Sequence, residues 1–191
     1  MQQIRRDDNP VVNEIAAHMK AILELLGEDP SREGLVKTPV RAAKALWHAT
    51  KGYRQTEAEV VNDAVFTHDG KGMIIVRDIE FYSMCEHHVL PFFGKVSVGY
   101  LPHGRVLGLS KLARLVDLYA RRLQLQERLT EEVLRAVARA TGSDDVIVAC
   151  TAEHLCMKMR GVEKQDSSTT TVETSGRFAS DPSLRQQFFT R

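Results

Sequence analysis

Residues 73–100 read MIIVRDIEFYSMCEHHVLPFFGKVSVGY, and the fold turns on this stretch. From Met73 to Phe81 β-branched and aromatic residues dominate, and Lys95 to Tyr100 alternates strictly, with Val96, Val98 and Tyr100 on one face. A period of two belongs to a strand half-buried on a sheet, so two strands are expected. Downstream, Leu112, Leu115, Val116 and Tyr119, then Leu129, Val133, Leu134 and Val137, recur at helical spacing before Gly142. That pattern predicts two consecutive helices, the first capped by Ser110. Val146 to Met159 reads as a long strand and the threonine-rich Ser168 to Thr174 as another. The order ββααββ predicts an antiparallel sheet with helices on one face, an α+β architecture.

Upstream, Val12, Ile15, Ala16, Met19, Ile22, Leu23 and Leu26 recur at helical spacing between Pro10 and Gly27. Thr38-Pro39 supplies an N-cap and first-turn proline for a second helix carrying Ala42, Ala43, Leu46 and Trp47. The turn signal HDGKG at 68–72 marks a boundary between a helical region, 1–70, and a sheet domain, 71–191. With 43% hydrophobic and 27% charged residues in 191, the chain can bury an ordinary core. Its 26 basic and 25 acidic residues leave a net charge of +1, so neither nucleic acid nor a membrane surface is an expected partner. No stretch approaches the roughly 20 apolar residues of a membrane span, and the start MQQIRRDDNP lacks a secretory apolar segment, so a cytoplasmic location is expected. The three cysteines, Cys85, Cys150 and Cys156, are then free thiols or metal ligands, with a Cys85–Cys156 disulfide as the alternative.

Two clusters carry chemistry. In Met84-Cys85-Glu86-His87-His88-Val89-Leu90-Pro91, Cys85 and His88 are three residues apart, a spacing that lets a thiolate and an imidazole converge on one metal ion in a turn. In Glu153-His154-Leu155-Cys156-Met157-Lys158-Met159-Arg160, a continuous strand would turn Leu155, Met157 and Met159 to the core and His154, Cys156, Lys158 and Arg160 to a polar cleft. The six residue steps from His154 to Arg160 would span roughly 20 Å, from a base-sized pocket to a polyphosphate. Together the clusters give Cys85, His88 and Cys156 as a Cys₂His zinc set whose fourth position is left to water, the pattern of a catalytic site. A structural zinc would need a fourth ligand from Cys150, His87 or His154. GRVLGLSK at 104–111 is not a Walker loop, but the helix start near Ser110, with Lys111 and Arg114 one turn apart, makes an anion site. Gln126-Glu127 opens the next helix, and a carboxylate there matches the donor edge of guanine.

The segments GEDPSREGL, TPVRAAKA, SMCEHHVLPFFGKVSVGY, GLSKLARLVD, QLQERLTEEV and AEHLCMKMRGV, with a threonine-rich tail ending in GRF, together resemble the GTP cyclohydrolase I family, in the family's order. The resemblance implies the tunnelling fold, a four-stranded antiparallel sheet backed by two helices, assembled as a homodecamer with shared active sites. It implies a reaction of GTP and water that gives 7,8-dihydroneopterin triphosphate and formate, the entry to pterin and tetrahydrofolate synthesis, and it leaves room for allosteric control. By matching positions, Cys85, His88 and Cys156 would bind Zn²⁺, and His87 and His154 would be the acid–base pair. Glu127, with Gln126 beside it, would hold the guanine edge. Ser110, Lys111, Arg114 and Arg160 would bind triphosphate and ribose, with Arg41 adding a phosphate contact from a neighbouring subunit. The rivals are a tunnelling-fold nitrile reductase, against which the paired CEHH and EHLC clusters argue, and an oligomeric scaffold with structural zinc. A nucleobase deaminase would show H-x-E with P-C-x-x-C, and neither is present.

Overall fold

The computed structural model describes residues 8–190, which divide into two compact units, one up to Thr50 and one from Lys51. The first unit is a helical pair. α1 (Pro10–Leu25) starts where the Asn9 side chain accepts the Val11 N–H, with Pro10 in the first turn. α2 (Thr38–Ala49) packs its Ala43 against Val12 and Ala16 of α1. Thr38 does not cap α2 as expected. Its hydroxyl points back to the Gly34 carbonyl at 3.4 Å, and the cap position falls to Lys37, whose side chain makes no cap bond.

The second unit opens with a 3₁₀ turn, Lys51–Arg54, and α3 (Glu57–Val61), started by a reciprocal capping box between Thr56 and Glu59. There follow β1 (Val65–Thr67), β2 (Ile74–Cys85), β3 (Pro91–Tyr100), β4 (Arg105–Leu107), α4 (Leu109–Ala120), β5 (Leu123–Gln124) and α5 (Gln126–Thr141). The chain continues through β6 (Val146–His154), α6 (Leu155–Lys158), β7 (Thr169–Thr174), α7 (Arg177–Ser180) and α8 (Pro182–Phe189). The main sheet is ordered β5-β2-β3-β6-β7. Its four long strands are antiparallel, and the two-residue β5 adds a parallel step beside Met84 and Cys85. β1 and β4 form a separate antiparallel pair. The ββααββ core is therefore β2, β3, α4, α5, β6 and β7, the α+β architecture expected.

Alternation decides which face is covered. Val96, Val98 and Tyr100 are fully buried together with Leu112, Leu115 and Val116 of α4 and Leu129, Val133 and Val137 of α5. Burying each such side chain contributes about 1.5–3 kcal/mol. On the other face, Phe188 of α8 packs beside Gly99 and Ile147. The start of α8 carries its own sequence signal, since the Asp181 side chain accepts from the Ser183 and Leu184 N–H groups ahead of Pro182.

Within β3, Gly94 has no room for a side chain, because a Cβ there would lie 2.0 Å from the Thr151 carbonyl oxygen of β6. Gly94→Ala is expected to force the two strands apart and lower stability by ~1–3 kcal/mol, read as a fall in thermal midpoint. An unchanged midpoint would mean that the β3–β6 ladder tolerates a local shift.

Two further sequence expectations are corrected. Ser110 does not cap α4: the helix starts two residues earlier than expected, at Leu109 behind Gly108, whose N–H is fixed 2.9 Å from the Ala64 carbonyl. The strand expected to Met159 ends at His154, the residue paired with Phe92. Beyond Phe92 the partner strand begins with Pro91, which has no N–H for the ladder, and Leu-Cys-Met-Lys favours a helical turn. Met157 and Met159 are accordingly 37% and 61% exposed rather than buried in the core.

Candidate metal centre and active site

β2 ends in a tight turn. The Cys85 N–H donates to the Leu90 carbonyl at 2.8 Å, and the Val89 N–H donates to the Cys85 carbonyl at 2.8 Å. Val89 has φ +53°, a strained value for a β-branched residue and the kind of outlier that collects at functional turns. The turn is tied down because the Glu86 N–H donates to the Gln124 carbonyl at 3.0 Å and Arg128 pairs with the Glu86 carboxylate. It places the Cys85 Sγ 3.8 Å from His88 Nδ1. α6, the helical turn that replaces the expected strand, brings Cys156 to the same point, so that one donor atom from each of Cys85, His88 and Cys156 lies within 4.8 Å of the others.

Two sulfurs and an imidazole nitrogen so close together form a donor set that fits a metal ion. Burial, and then the facing Cys85, pushes the Cys156 thiol above its ordinary range. Cys150 is different. It is buried in the core between β3 and β7, its thiol pushed up to about 12 by burial, and it stands outside the donor group. All three cysteines are free thiols. In metal-free protein, iodoacetamide is therefore expected to label Cys156 and spare Cys150, and added Zn²⁺ should slow labelling of Cys156 by more than about tenfold. Equal labelling with and without zinc, read by peptide mass spectrometry, would argue against metal binding at these thiols.

His154, at the end of β6, stacks on Phe92 with ring centroids 4.6 Å apart and planes at 4°. Its Nε2 lies 2.8 Å from Gln126 Oε1. Burial holds the imidazole below its ordinary pKa, and the Glu127 carboxylate nearby opposes that. Glu127 itself is exposed in the first turn of α5. Gln126 is only 2% exposed, and its amide donates to the Cys150 carbonyl at 3.0 Å and the Thr169 carbonyl at 2.9 Å. Both its donors and its oxygen are thus engaged inside the protein.

His87 is exposed, with its ring 6.0 Å from that of His88. Arg160 is not some 20 Å along a strand. The α6 turn folds it back so that its Nη1 lies 3.1 Å from His88 Nε2. Lys158 pairs with Glu153 at 2.7 Å. Ser110, Lys111 and Arg114 are not brought to this cluster. α4 starts after β4, where the Leu107 N–H donates to the Tyr100 hydroxyl, and Lys111 Nζ donates to the Val60 carbonyl at 3.0 Å. Tyr100 pairs with Ile74 and Val146, at the end of the sheet away from Cys85 and His154. The C-terminal end of α4, by contrast, leads directly into β5 beside Cys85. Arg41 is exposed on α2, in the first unit. Sequence reasoning missed Phe92, Glu86 and Arg128. Only the register Phe92↔His154 reveals the first, and the other two meet only once α5 packs beside the turn. A separate cavity of about 620 Å³ among Arg77, Lys95, Thr151 and Phe188 contains none of the expected site residues.

Fold and site together define a class: an α+β enzyme on an antiparallel sheet, with a Cys–His–Cys group able to hold a metal beside a partly buried histidine and a carboxylate. The GTP cyclohydrolase I family profile matches residues 15–191. The chain is 53% identical over 176 residues to GTP cyclohydrolase 1 of Pseudoalteromonas translucida, covering 92% of this chain and 96% of that one. It is 55% identical over 174 residues to GTP cyclohydrolase 1 of Alkalilimnicola ehrlichii, covering 91% and 94%. Among solved structures, an archaeosine synthase QueF-Like in the apo form aligns with TM-score 0.46 and 24% identity over 56% of this chain and 97% of that one. The chain belongs to the GTP cyclohydrolase I family. Among the described residues no helix is long and apolar enough to cross a membrane.

Proposed function

We propose that the protein hydrolyses and rearranges GTP with water to 7,8-dihydroneopterin triphosphate and formate, with zinc held by Cys85, His88 and Cys156. The observation that carries this reading is the convergence of those three donors next to His154 and the first turn of α5, in a chain of this family. Zinc bound there supplies the Lewis acidity that makes water nucleophilic near neutral pH. His154 protonates purine N7, which makes C8 electrophilic and directs water to it. The Glu127 carboxylate accepts guanine N1–H and the exocyclic amine, fixing the base. His87, exposed beside the metal turn, transfers the proton at the ribose ring oxygen once C8 has left as formate. Ser110, Lys111, Arg114 and Arg160 hold the triphosphate. In this reading residues 71–191 are the catalytic domain and 1–70 the helical region, the enzyme acts in the cytoplasm at the start of tetrahydrofolate synthesis, and it is open to allosteric control.

We also propose a homodecamer with shared sites. Among the described residues β2 pairs on its outer side only at Met84 and Cys85, so its edge from Ile74 to Ser83, like the outer edge of β7, offers backbone to another copy. Leu25 and Leu26, 87% and 74% exposed, offer apolar contact. Arg41 then reaches a neighbouring copy's triphosphate.

Incubation with GTP should release formate and, after oxidation, a fluorescent pterin. No formate from zinc-loaded protein would remove this reading. Glu127→Gln places an N–H against guanine's donors and should weaken GTP by ~1–3 kcal/mol while narrowing the preference for GTP over ITP. An unchanged preference would take Glu127 out of the base pocket.

A further inference from the structure

Gln126 lies beside Glu127 in the chain, but the two side chains live in different places. Glu127 is exposed, whereas Gln126 is buried and faces His154. Its amide group faces two backbone carbonyls, of Cys150 and Thr169, with the Thr171 hydroxyl at 3.3 Å as a third acceptor. Only an NH₂ can sit against those carbonyls, so the amide orientation is forced and Oε1 must be the atom turned to His154. Oε1 can only accept. The His154 Nε2, 2.8 Å away, must therefore carry the proton of the neutral ring. Phe92 sets the plane of that ring by stacking, and Gln126 sets its rotation within the plane. The backbone of Gln126 is held in turn, because the Thr130 hydroxyl donates to its carbonyl at 2.8 Å and lies 2.6 Å from the Thr171 hydroxyl.

We propose that Gln126 is a positioning residue for His154 and not a ligand of the purine: it pins Nε2–H and leaves Nδ1 as the nitrogen that takes a proton from the attacking water and hands it to purine N7. This rests on the reading of His154 as an acid–base group acting on GTP. A plain structural role, stapling α5 to β6 and β7, accounts for the amide donors but not for the oxygen aimed at His154.

The test combines kinetics with a ring-nitrogen measurement. In Gln126→Met, kcat for formate release should fall roughly 10- to 100-fold, within the range that acid–base catalysis supplies, while KM for GTP moves less than about threefold. The double variant Gln126→Met/His154→Asn should be no slower than His154→Asn alone, since Gln126 acts only through that ring. A raised KM with kcat retained, or losses that multiply in the double variant, overturns the proposal. Should Gln126→Met fail to fold, nitrogen-15 NMR of histidine-labelled wild-type protein still decides. Nε2 protonated and Nδ1 bare supports the proposal, and Nδ1–H overturns it whether or not GTP is turned over. Formate release by the wild-type protein, measured separately, judges the GTP reading on its own.

Discussion

Cys156→Ser is expected to abolish zinc retention and GTP turnover together. The protein offers three donor atoms within 4.8 Å of one another, and a hydroxyl in place of one sulfur removes a thiolate that nothing nearby replaces. Cys150 cannot substitute, because it is buried in the core and stands outside the donor group. Structural Zn²⁺ binding is worth about 10–16 kcal/mol in small zinc peptides, so losing one ligand of three should lower metal content well below one per chain. Activity should drop to the level of the chelated wild-type protein. The comparison with His87→Ala separates binding from chemistry: that variant should keep zinc and lose product, since His87 lies outside the donor group. Metal content by mass spectrometry and formate release, measured on the same samples, give the answer. Full turnover by zinc-depleted Cys156→Ser would sink the catalytic-metal reading, whereas loss of oligomer without loss of turnover would favour a scaffold metal.

The sheet and its two covering helices are legible in the sequence because period-2 and period-3.6 patterns survive where a face is buried. Val96, Val98 and Tyr100 alternate as written, and each is fully buried. The Cys–His–Cys donor group is legible for a different reason. Cysteine and histidine at short spacing are chemically conspicuous whatever backbone carries them, and Cys85, His88 and Cys156 converge even though the backbone around Cys156 is helical rather than extended. The extent of β6 is not legible, because strand length is set by the partner, and Pro91 ends the ladder from the other side. That one boundary moves Arg160 from a remote strand position to within 3.1 Å of His88. The role of Gln126 is hidden as well. Its neighbour Glu127 differs by one position on a helix, and only packing decides that one side chain faces the interior and the other solvent.

Two variants that are each inactive should restore activity when mixed, if the active site is shared between copies. Within one chain, Cys85, His88, Cys156 and His154 stand at the end of the sheet where Phe92 pairs with His154, while Ser110 and Lys111 open α4 at the Tyr100 end. Eight residue steps of β3 separate Phe92 from Tyr100, which at the strand rise is roughly 26 Å. α4 itself, 12 residues long, spans about 18 Å between Leu109 and the β5 step beside Cys85. In the proposed shared site, α4 comes from a second copy and its Lys111 meets a triphosphate reaching from the metal end. Lys111→Ala removes a phosphate contact and Cys156→Ser removes the metal, so each homogeneous protein should lose most of its turnover. After unfolding and refolding an equal mixture, about a quarter of sites would pair an intact metal end with an intact α4, if copies assort at random. Activity should recover towards that fraction. Refolded mixtures that stay as inactive as either parent, while sizing as a single oligomer, would place the whole site within one chain and remove the shared-site reading.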